Sequence, residues 1–314
     1  MTKSDRVMAA LGGRVPDRLP FSIWFHFGTQ HLPGATTAEI HLWFYRAYDL
    51  DWIKVMNDYR YPMPPGVVEV STADELARFR RFGMDALPFA RQLEALTVLS
   101  RALGGEAPFV DTVFNPYGVA RRTLRTHLRR LMAEHPGLVK SFLESVAETL
   151  SDYVRAVAAT GAAGIFYSVS GLAAGELSDS EFEEWVWPYD EAVLGAIEEQ
   201  TRKGRFFFSI AHLHGEPLCD RRAFERYARL QAFNWSSWRT APSLAQARSL
   251  TQRALIGGID EVQLSHRTPS EVAREVRMAL EQAGPAGLMI GPGCAVDSQV
   301  PADLIESARQ ACHL

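Results

Sequence analysis

Short apolar segments alternate with longer segments of helical spacing along most of this chain of 314 residues. The apolar segments are about as long as buried strands and are often rich in β-branched and aromatic residues. They lie at residues 21–28, 52–58, 108–114, 164–170, 206–212, 232–238, 254–259 and 287–291. The helical periodicity predicts amphipathic helices between them, at residues 37–48, 84–103, 138–160, 180–203 and 270–282.

Strands that are separated by helices pair in parallel, with right-handed crossovers. Eight strand–helix units in about 300 residues fit a closed barrel better than an open sheet. A dinucleotide-binding sheet is disfavoured because no Gly-x-Gly-x-x-Gly motif follows the first apolar segment. No low-complexity linker interrupts the chain, so we predict a single α/β domain over residues 1–314, a (β/α)8 TIM barrel. Segment 59–71, with its three prolines, is predicted to be a loop over the barrel mouth.

The composition argues against several classes of partner. The 33 basic and 37 acidic residues are interspersed and give a net charge of −4, which favours neither nucleic acid nor an anionic membrane. No apolar segment approaches the roughly 20 residues of a membrane-spanning helix. The N-terminus lacks a secretory pattern, so we expect a cytoplasmic protein. Three cysteines in a long chain argue against a disulfide scaffold and leave thiols available for metal binding.

Two histidines and a cysteine follow predicted strands at positions that suit a metal site. His212 and His214 close the fifth apolar segment, and their spacing points both to the same side of an extended strand. Cys294 closes the eighth segment, and Cys219 is an alternative thiol. Two imidazoles and one thiolate suit zinc with one open position, as in catalytic zinc sites. The carboxyl ends of barrel strands also carry the chemistry in barrel enzymes.

Further polar side chains follow predicted strands and complete the candidate site. Asp58 and Asp260 are predicted to be catalytic, as a fourth ligand, an orienting group or a proton acceptor, and Tyr167 is placed with them. The predicted substrate-binding residues are His26, Asn115, Asn234, Arg60 and Arg239, of which the two arginines suit a carboxylate or sulfonate. A cluster of arginines within residues 121–130 is interpreted as a solvated helix face, or as a contact for an acidic ligand if it lies at the barrel mouth.

Several short motifs occur in an order that resembles a known family. They are VPDRLP at 15–20, DWIKVMND at 51–58, GIFYS at 164–168, HLHG at 212–215, FNW at 233–235, GGID at 257–260 and GPGC at 291–294. Together they resemble the uroporphyrinogen decarboxylase family and its relatives, the methylcobamide:thiol methyltransferases. The resemblance spans nearly the whole chain and implies a (β/α)8 barrel.

The resemblance implies two alternative site chemistries. The decarboxylases need no metal and bind a tetrapyrrole through an arginine-bearing loop after the first strand and an aspartate after the second. Asp58 matches that aspartate, but the loop at 26–34 contains no arginine. The methyltransferases bind zinc through His-x-Cys on the fifth strand and a second cysteine on the eighth. His212 and Cys294 match those ligands, and His214 replaces the middle cysteine.

The predicted function is therefore zinc-dependent methyl transfer to a thiol or a similar nucleophile. Zinc lowers the pKa of a bound thiol, and the resulting thiolate attacks the methyl group. The methyl donor is either a corrinoid carried on a partner protein or a free methylated small molecule, and a homodimer is left open. The alternatives are a metal-free decarboxylase of uroporphyrinogen or a smaller acid, and a barrel that binds a corrinoid or metabolite without turnover.

Overall fold

Seven parallel strands lie side by side in the order of the chain. The computed structural model describes residues 1–215 and 222–313. Its strands are β1 (Ile53–Val55), β2 (Phe109–Phe114), β3 (Gly164–Val169), β4 (Ile210–Leu213), β5 (Ala232–Asn234), β6 (Ala254–Ile259) and β7 (Leu288–Pro292). Each overlaps one of the last seven predicted segments, so those seven predictions are confirmed. The fold is an α/β fold with a curled parallel sheet.

The α-helices of the described residues fall between the strands and at both ends of the chain. They are α1 (Lys3–Leu11), α2 (Gly34–Ala47), α3 (Ala73–Leu76), α4 (Leu87–Leu103), α5 (Pro116–Leu124), α6 (Leu128–Glu134), α7 (Pro136–Ala159), α8 (Asp179–Trp185), α9 (Trp187–Arg202), α10 (Arg222–Arg226), α11 (Leu244–Leu250), α12 (Pro269–Ala283) and α13 (Ala302–Gln310). None of the described helices is long and apolar enough to cross a membrane.

The helix predicted at 180–203 is wrong as one element, because the structure divides it into α8 and α9. Val186 lies between them with ψ −60° and φ −119°, outside regular helical values. Pro188 follows in the first turn of α9, where its missing N–H is tolerated. A proline ring in the interior of one continuous helix would clash with the preceding turn and remove a hydrogen bond, so the helix breaks before it.

The first predicted strand, 21–28, is present only as a single bridge between Phe21 and Ile290 of β7. Ser22 N–H donates to the Ile290 carbonyl (3.0 Å), and Asp51 N–H donates to the Phe21 carbonyl (2.8 Å). The pairing ends there, because the chain beyond Phe21 forms a loop in which Gly28 has a left-handed φ of 69°. The eight-stranded closed barrel is thus confirmed only as a curled seven-stranded sheet with this bridge beside β7.

A buried charge network holds the segment before the bridge. The carboxylate of Asp51 is fully buried and accepts hydrogen bonds from the guanidinium groups of Arg6 (2.6 Å) and Arg18 (2.9 Å). It also accepts one from the backbone N–H of Phe21 (2.8 Å). Because two cations share one carboxylate, the network joins α1, the VPDRLP motif and the start of β1.

The two faces of the sheet carry separate apolar clusters, as alternating side chains require. The larger cluster packs against the helices and includes Ile53, Tyr167 and Leu255. A smaller cluster covers the inner face of the curled sheet and includes Trp52 and Phe166. The face on which a residue lies therefore decides whether it reaches the candidate site or the helix layer.

Candidate metal centre

The predicted metal ligands converge at the carboxyl ends of two strands. His212 ends β4 with His214 just beyond it, and Cys294 follows β7. One ligand atom from each residue lies within 4.8 Å of the other two. His212 is buried, Cys294 is half-buried and His214 is exposed, so the group reaches from the inner face to the surface. The convergence predicted from strand alternation is confirmed.

A buried asparagine sets the orientation of His212. Nδ1 of His212 lies 2.7 Å from Oδ1 of Asn234, the residue opposite it on β5. Nδ2 of Asn234 donates to the carbonyls of Ile256 (3.0 Å) and Pro292 (2.9 Å). These two acceptors assign the amide orientation, so Oδ1 faces His212 and accepts a hydrogen bond from Nδ1–H. Nε2 of His212 then carries the lone pair that a metal ligand needs.

The protonation state of His212 suits metal binding. Burial lowers the pKa of this imidazole well below its usual value, and nearby His214 and Lys54 lower it further. The ring packs against Phe166 with 5.0 Å between ring centroids. His212 is therefore neutral at pH 7, and neutral imidazole is the form that binds metals.

A carboxylate holds the backbone beside Cys294. Glu261 follows β6 and accepts hydrogen bonds from the N–H of Gly293 (3.1 Å) and the hydroxyl of Ser236. A Cβ at Gly293 would lie 2.5 Å from Cα of Ser236, so glycine allows these two loops to touch. Burial raises the pKa of Glu261 despite these hydrogen bonds. Glu261 was not among the predicted site residues, because its role depends on contacts between three loops.

Lys54 is a second residue that the sequence analysis did not include in the site. It lies on β1 and is only 6% exposed, with Nζ 2.7 Å from Sδ of Met56. The ammonium also lies 4.5 Å from the ring centre of Phe166. Burial lowers the pKa of Lys54 to about 8, and nearby Cys294 and Asp58 oppose the decrease. Alternation along β1 places Lys54 on the same face as Trp52, and this signal was available in the sequence.

His26 and Asp58 form a pair at the same end of the sheet. Nδ1 of His26 lies 2.6 Å from Oδ1 of Asp58, and the N–H of Gly28 donates to Oδ2 (3.1 Å). Burial raises the pKa of Asp58, but the hydrogen bonds from His26 and this loop outweigh it and lower the pKa overall. The side chain of His26 is 57% exposed, whereas that of Asp58 is 7% exposed. The buried carboxylate thus orients an accessible imidazole.

Two clefts open beside this pair and are bounded by the proline-containing loop that was predicted over the mouth. One has a volume of about 980 Å³ and is lined by His26, Asp58 and Arg60, and the other has a volume of about 590 Å³. Arg122 lines both clefts and lies 4.2 Å from the ring centre of Phe114. Arg60 lines the cleft of about 980 Å³, and its assignment as a substrate-binding residue stays a prediction.

The arginines of the 121–130 cluster divide into two groups. Three of them form ion pairs with carboxylates: Arg121 with Glu176, Arg129 with Glu181 and Arg130 with Glu134. Arg122 and Arg125 line the 590 Å³ cleft, and within the described ranges neither forms an ion pair with a carboxylate. The interpretation as a solvated helix face holds for the first group, and the second lies at the mouth.

Arg239 lies beyond β5 and is exposed, and it does not line either cleft at the mouth. Its assignment as a substrate-binding residue stays a prediction. Cys219, the alternative thiol ligand, lies outside the described residues. The third cysteine, Cys312, is buried far along the chain, where burial raises the pKa of its thiol to about 12.

Tyr167, which was predicted to be catalytic, lies with its side chain on the helix-facing side of the sheet, and its catalytic role stays a prediction. Phe166 and His212 occupy the inner face, whereas Tyr167 belongs to the cluster between the sheet and the helices. Tyr167 is fully buried there beside Asp190 of α9, and this burial raises the pKa of the phenol well above its usual value. Tyr167 follows Phe166 in the strand, so its side chain points to the face opposite the site.

Asn115 and Asp260 form hydrogen bonds within the protein. Asn115 caps α5 by accepting from Gly118 N–H (2.9 Å), and it exchanges two hydrogen bonds with the backbone of Ser170. Asp260 accepts from two backbone N–H groups of the turn that follows it, at 3.2 Å each. The structure shows both residues in capping contacts, and substrate binding by Asn115 and catalysis by Asp260 stay predictions.

The amide of Asn234 is likewise fully engaged, in this case by His212 and two carbonyls. Its contact with the candidate ligand His212 is observed, and its contact with substrate stays a prediction. Asn234 thus holds the imidazole of His212 in place.

Comparisons with known proteins agree with the family resemblance. The model of the uroporphyrinogen decarboxylase family matches residues 27–314. A uroporphyrinogen decarboxylase from Synechococcus sp. (strain JA-2-3B'a(2-13)) is 22% identical, and the alignment covers 99% of this chain and 98% of that protein. Another, from Synechococcus sp. (strain JA-3-3Ab), is 23% identical, over 73% of this chain and 63% of that protein.

Solved structures share the fold at low sequence identity. A methyltransferase from Methanosarcina mazei superposes with a TM-score of 0.73 at 15% identity, over 99% of this chain and 98% of that one. A B12-independent methionine synthase from Shewanella sp. W3-18-1, in complex with selenomethionine, superposes with a TM-score of 0.56 at 13% identity. That superposition covers 95% of this chain and 94% of the methionine synthase.

Proposed function

The chain belongs to the uroporphyrinogen decarboxylase family, and within that family we propose that it is a zinc-dependent methyltransferase whose methyl acceptor is a thiol. One observation carries this proposal: the convergence of His212, His214 and Cys294 within 4.8 Å. We also infer that the sheet and the Phe21 bridge form the closed barrel that the family resemblance implies.

The three residues suit zinc by their chemistry and number. Nitrogen and sulfur ligands are those that zinc prefers, and three protein ligands leave a position for a substrate. A tetrahedral site needs ligand atoms about 3.3–3.7 Å apart, so small side-chain movements suffice to close the group around an ion. When bound, zinc would supply Lewis acidity and lower the pKa of a thiol in the open position.

The remaining residues have separate tasks in this proposal. Asn234 holds His212 in the tautomer that presents Nε2, and Glu261 holds the loop that carries Cys294. His26, oriented by Asp58, accepts the proton that the thiol releases. Arg60 and Arg122 at the mouth bind anionic groups of the larger methyl donor.

The donor is a corrinoid on a partner protein or a free methylated small molecule. The two structural neighbours support methyl transfer by their names, and one of them is named as B12-independent. A corrinoid is therefore one of two proposed donors, and spectral titration of the protein with a corrinoid distinguishes them. A shift of the corrinoid absorbance on binding supports the first donor, and an unchanged spectrum favours the second.

Metal analysis of protein purified without added zinc tests the proposal. We expect about one zinc per chain, as for a three-ligand catalytic site, and its loss in His212→Ala and in Cys294→Ser. Cys312→Ser is the matched control, because this buried thiol donates to a helix carbonyl of α13. Zinc near zero in correctly folded wild-type protein would reject the metal centre.

Decarboxylation of a carboxylate-bearing substrate is the second candidate function. It is favoured by Asp58 at the position that the family resemblance assigns, and by Arg60, Arg122 and Arg125 at the mouth. These arginines come from other segments than the loop at 26–34 and could bind carboxylates in its place. Release of CO2 from a porphyrinogen by zinc-free protein would establish this function in place of methyl transfer.

A further inference from the structure

Lysine is rare in this chain, and one of its lysines is buried. Of the 33 basic residues, 29 are arginines and only four are lysines. Three of the four lysines form ion pairs: Lys3 with Asp49, Lys140 with Glu184 and Lys203 with Glu199. Lys54 is only 6% exposed, and within residues 1–215 and 222–313 it forms no ion pair. It thus differs from the other lysines in both burial and pairing.

A lysine amine can lose its proton, whereas a guanidinium group keeps its proton at any pH that a protein tolerates. The chain uses arginine where a buried charge is paired, since the buried Arg6 and Arg18 both form ion pairs with Asp51. Lys54 has the residue type that can become neutral and lacks the carboxylate that would keep it charged. This combination indicates an amine that works in its neutral form.

The surroundings of the amine favour this neutral form. The thioether of Met56 is the only hydrogen-bond acceptor of Nζ in the described part of the chain, and thioether sulfur is a weak acceptor. The ring centres of Phe166 and Trp24 lie 4.5 Å and 5.8 Å from Nζ. An ammonium surrounded by hydrocarbon loses its hydration, and this loss is only partly replaced by such contacts.

The acid–base balance of Lys54 agrees with these surroundings. Burial lowers the pKa of Lys54 from 10.5 to about 8, although the charges of Cys294, Asp58 and Asp111 oppose the decrease. At pH 7 about 10% of such an amine is neutral, which is more than 100-fold above the neutral fraction of an ordinary lysine. A lysine desolvated in an apolar pocket is an activated nucleophile that attacks carbonyl groups.

A second polar group on the same inner face lacks a partner. Trp52 precedes Lys54 by two residues and shares its face of the sheet. Trp52 is fully buried, and its Nε1 has no hydrogen-bond partner among the residues that the structure describes. Trp24 adjoins both residues, with 5.5 Å between the centroids of the two tryptophan rings. An oxygen atom of a molecule entering this face would accept the hydrogen bond that the indole N–H leaves unused.

We propose that Lys54 forms an imine with a small uncharged aldehyde. The amine nitrogen attacks the carbonyl carbon, both amine protons pass to the oxygen, and the oxygen leaves as water when the C=N bond forms. Protonation of the imine acidifies the neighbouring C–H, so that this carbon exchanges its hydrogen with solvent. The aromatic surroundings favour an uncharged molecule, and the burial of Lys54 favours a small one. This activity goes beyond methyl transfer and requires no metal.

Reductive trapping compares the four lysines within one protein. Wild-type protein is treated at pH 7 with propanal and sodium cyanoborohydride, and peptide mass spectrometry measures the rate of propylation at each lysine. We expect Lys54 to react about tenfold or more faster than Lys3, Lys140 and Lys203, because more of its amine is neutral. In urea-unfolded protein the four rates should become equal. A rate at Lys54 no higher than the others in folded protein would overturn the proposal.

Hydrogen exchange in propanal tests whether the imine turns over. Proton NMR in D2O follows the loss of the hydrogen signal at the carbon next to the carbonyl group. The measurement is made with and without a chelator, because a bound metal also promotes this exchange. We expect wild-type protein to accelerate the exchange over the protein-free rate, equally in both samples. No acceleration, or acceleration only in the sample without chelator, would overturn the proposal.

Three variants assign the exchange to the amine. Lys54→Met and Lys54→Arg should both abolish it, whereas Lys203→Met removes an exposed lysine paired with Glu199 and should retain it. Methionine is similar in length to lysine and fits apolar surroundings, so the melting temperature of Lys54→Met verifies that the fold is intact. Arginine keeps the charge but does not form an imine. Exchange that persists in folded Lys54→Met or Lys54→Arg would overturn the proposal, whatever the zinc content of the protein.

Discussion

Asn234 offers a test of how the fold supports the metal centre, because one side chain has two separable tasks. Its oxygen orients His212, and its nitrogen satisfies the carbonyls of Ile256 and Pro292. Asn234→Ala removes both. Each buried carbonyl left without a donor costs about 1–3 kcal/mol of unfolding free energy. Loss of a partner behind a metal-bound histidine typically weakens metal binding about 10–100-fold.

Asn234→Asp separates the two tasks. Its carboxylate still accepts a hydrogen bond from His212 Nδ1–H, so we expect zinc affinity close to or above that of wild-type protein. The two carbonyls lose their donor and face a buried negative charge, so the unfolding free energy falls. Competition with a chromophoric chelator measures zinc affinity, and urea denaturation of metal-free protein measures stability.

Asn115→Ala is the matched control for these variants. Asn115 is equally buried and makes hydrogen bonds with Gly118, Ser170 and Asp190, but it does not contact the metal ligands. It should lose stability with unchanged zinc affinity. Wild-type zinc affinity in Asn234→Ala, or an equal loss in Asn115→Ala, would refute the orienting role.

Three other predictions concern stability and the role of Tyr167. Burial raises the pKa of Asp111 from 3.8 to about 7. Between about pH 4 and 7 the folded state therefore binds more protons at this group than the unfolded state does. Because of this difference, Asp111 lowers the unfolding free energy as the pH rises through that range. Asp111→Asn should remove that dependence and raise the unfolding free energy at pH 8 by roughly 2–4 kcal/mol; a denaturation series whose pH slope matches that of wild-type protein would contradict this. Asp51→Asn leaves Arg6 and Arg18 without their shared carboxylate and should lower the unfolding free energy, measured by thermal denaturation, by about 3–5 kcal/mol. An unchanged melting temperature would show that the network does not stabilise the fold. Tyr167→Phe should keep wild-type zinc content and thiol affinity, because the phenol faces the helices; a tenfold loss of thiol affinity would restore it to the site.

The two histidines of the candidate site could be predicted from the alternation of side chains along a strand, which has a period of two residues. His212 and His214 lie two residues apart, and this spacing alone places both on one face. The same period applied to Tyr167 would have shown that it lies on the opposite face from Phe166. Applied to β1, it would have included Lys54, which shares a face with Trp52. The strand period therefore already indicated the face on which Tyr167 and Lys54 each lie.

Local periodicity and short motifs determined the order of strands and helices, the family and the residues that end β4 and β7, since these depend on neighbours in the chain. Only the tertiary structure decided which polar groups remain available to a ligand. Asn115, Asn234 and Asp260 follow strands as catalytic residues do, yet each forms hydrogen bonds with segments distant in sequence or within its own turn. A side chain becomes a ligand-binding group only if its surroundings leave a donor, an acceptor or a charge unsatisfied, and those surroundings exist only after the chain has folded.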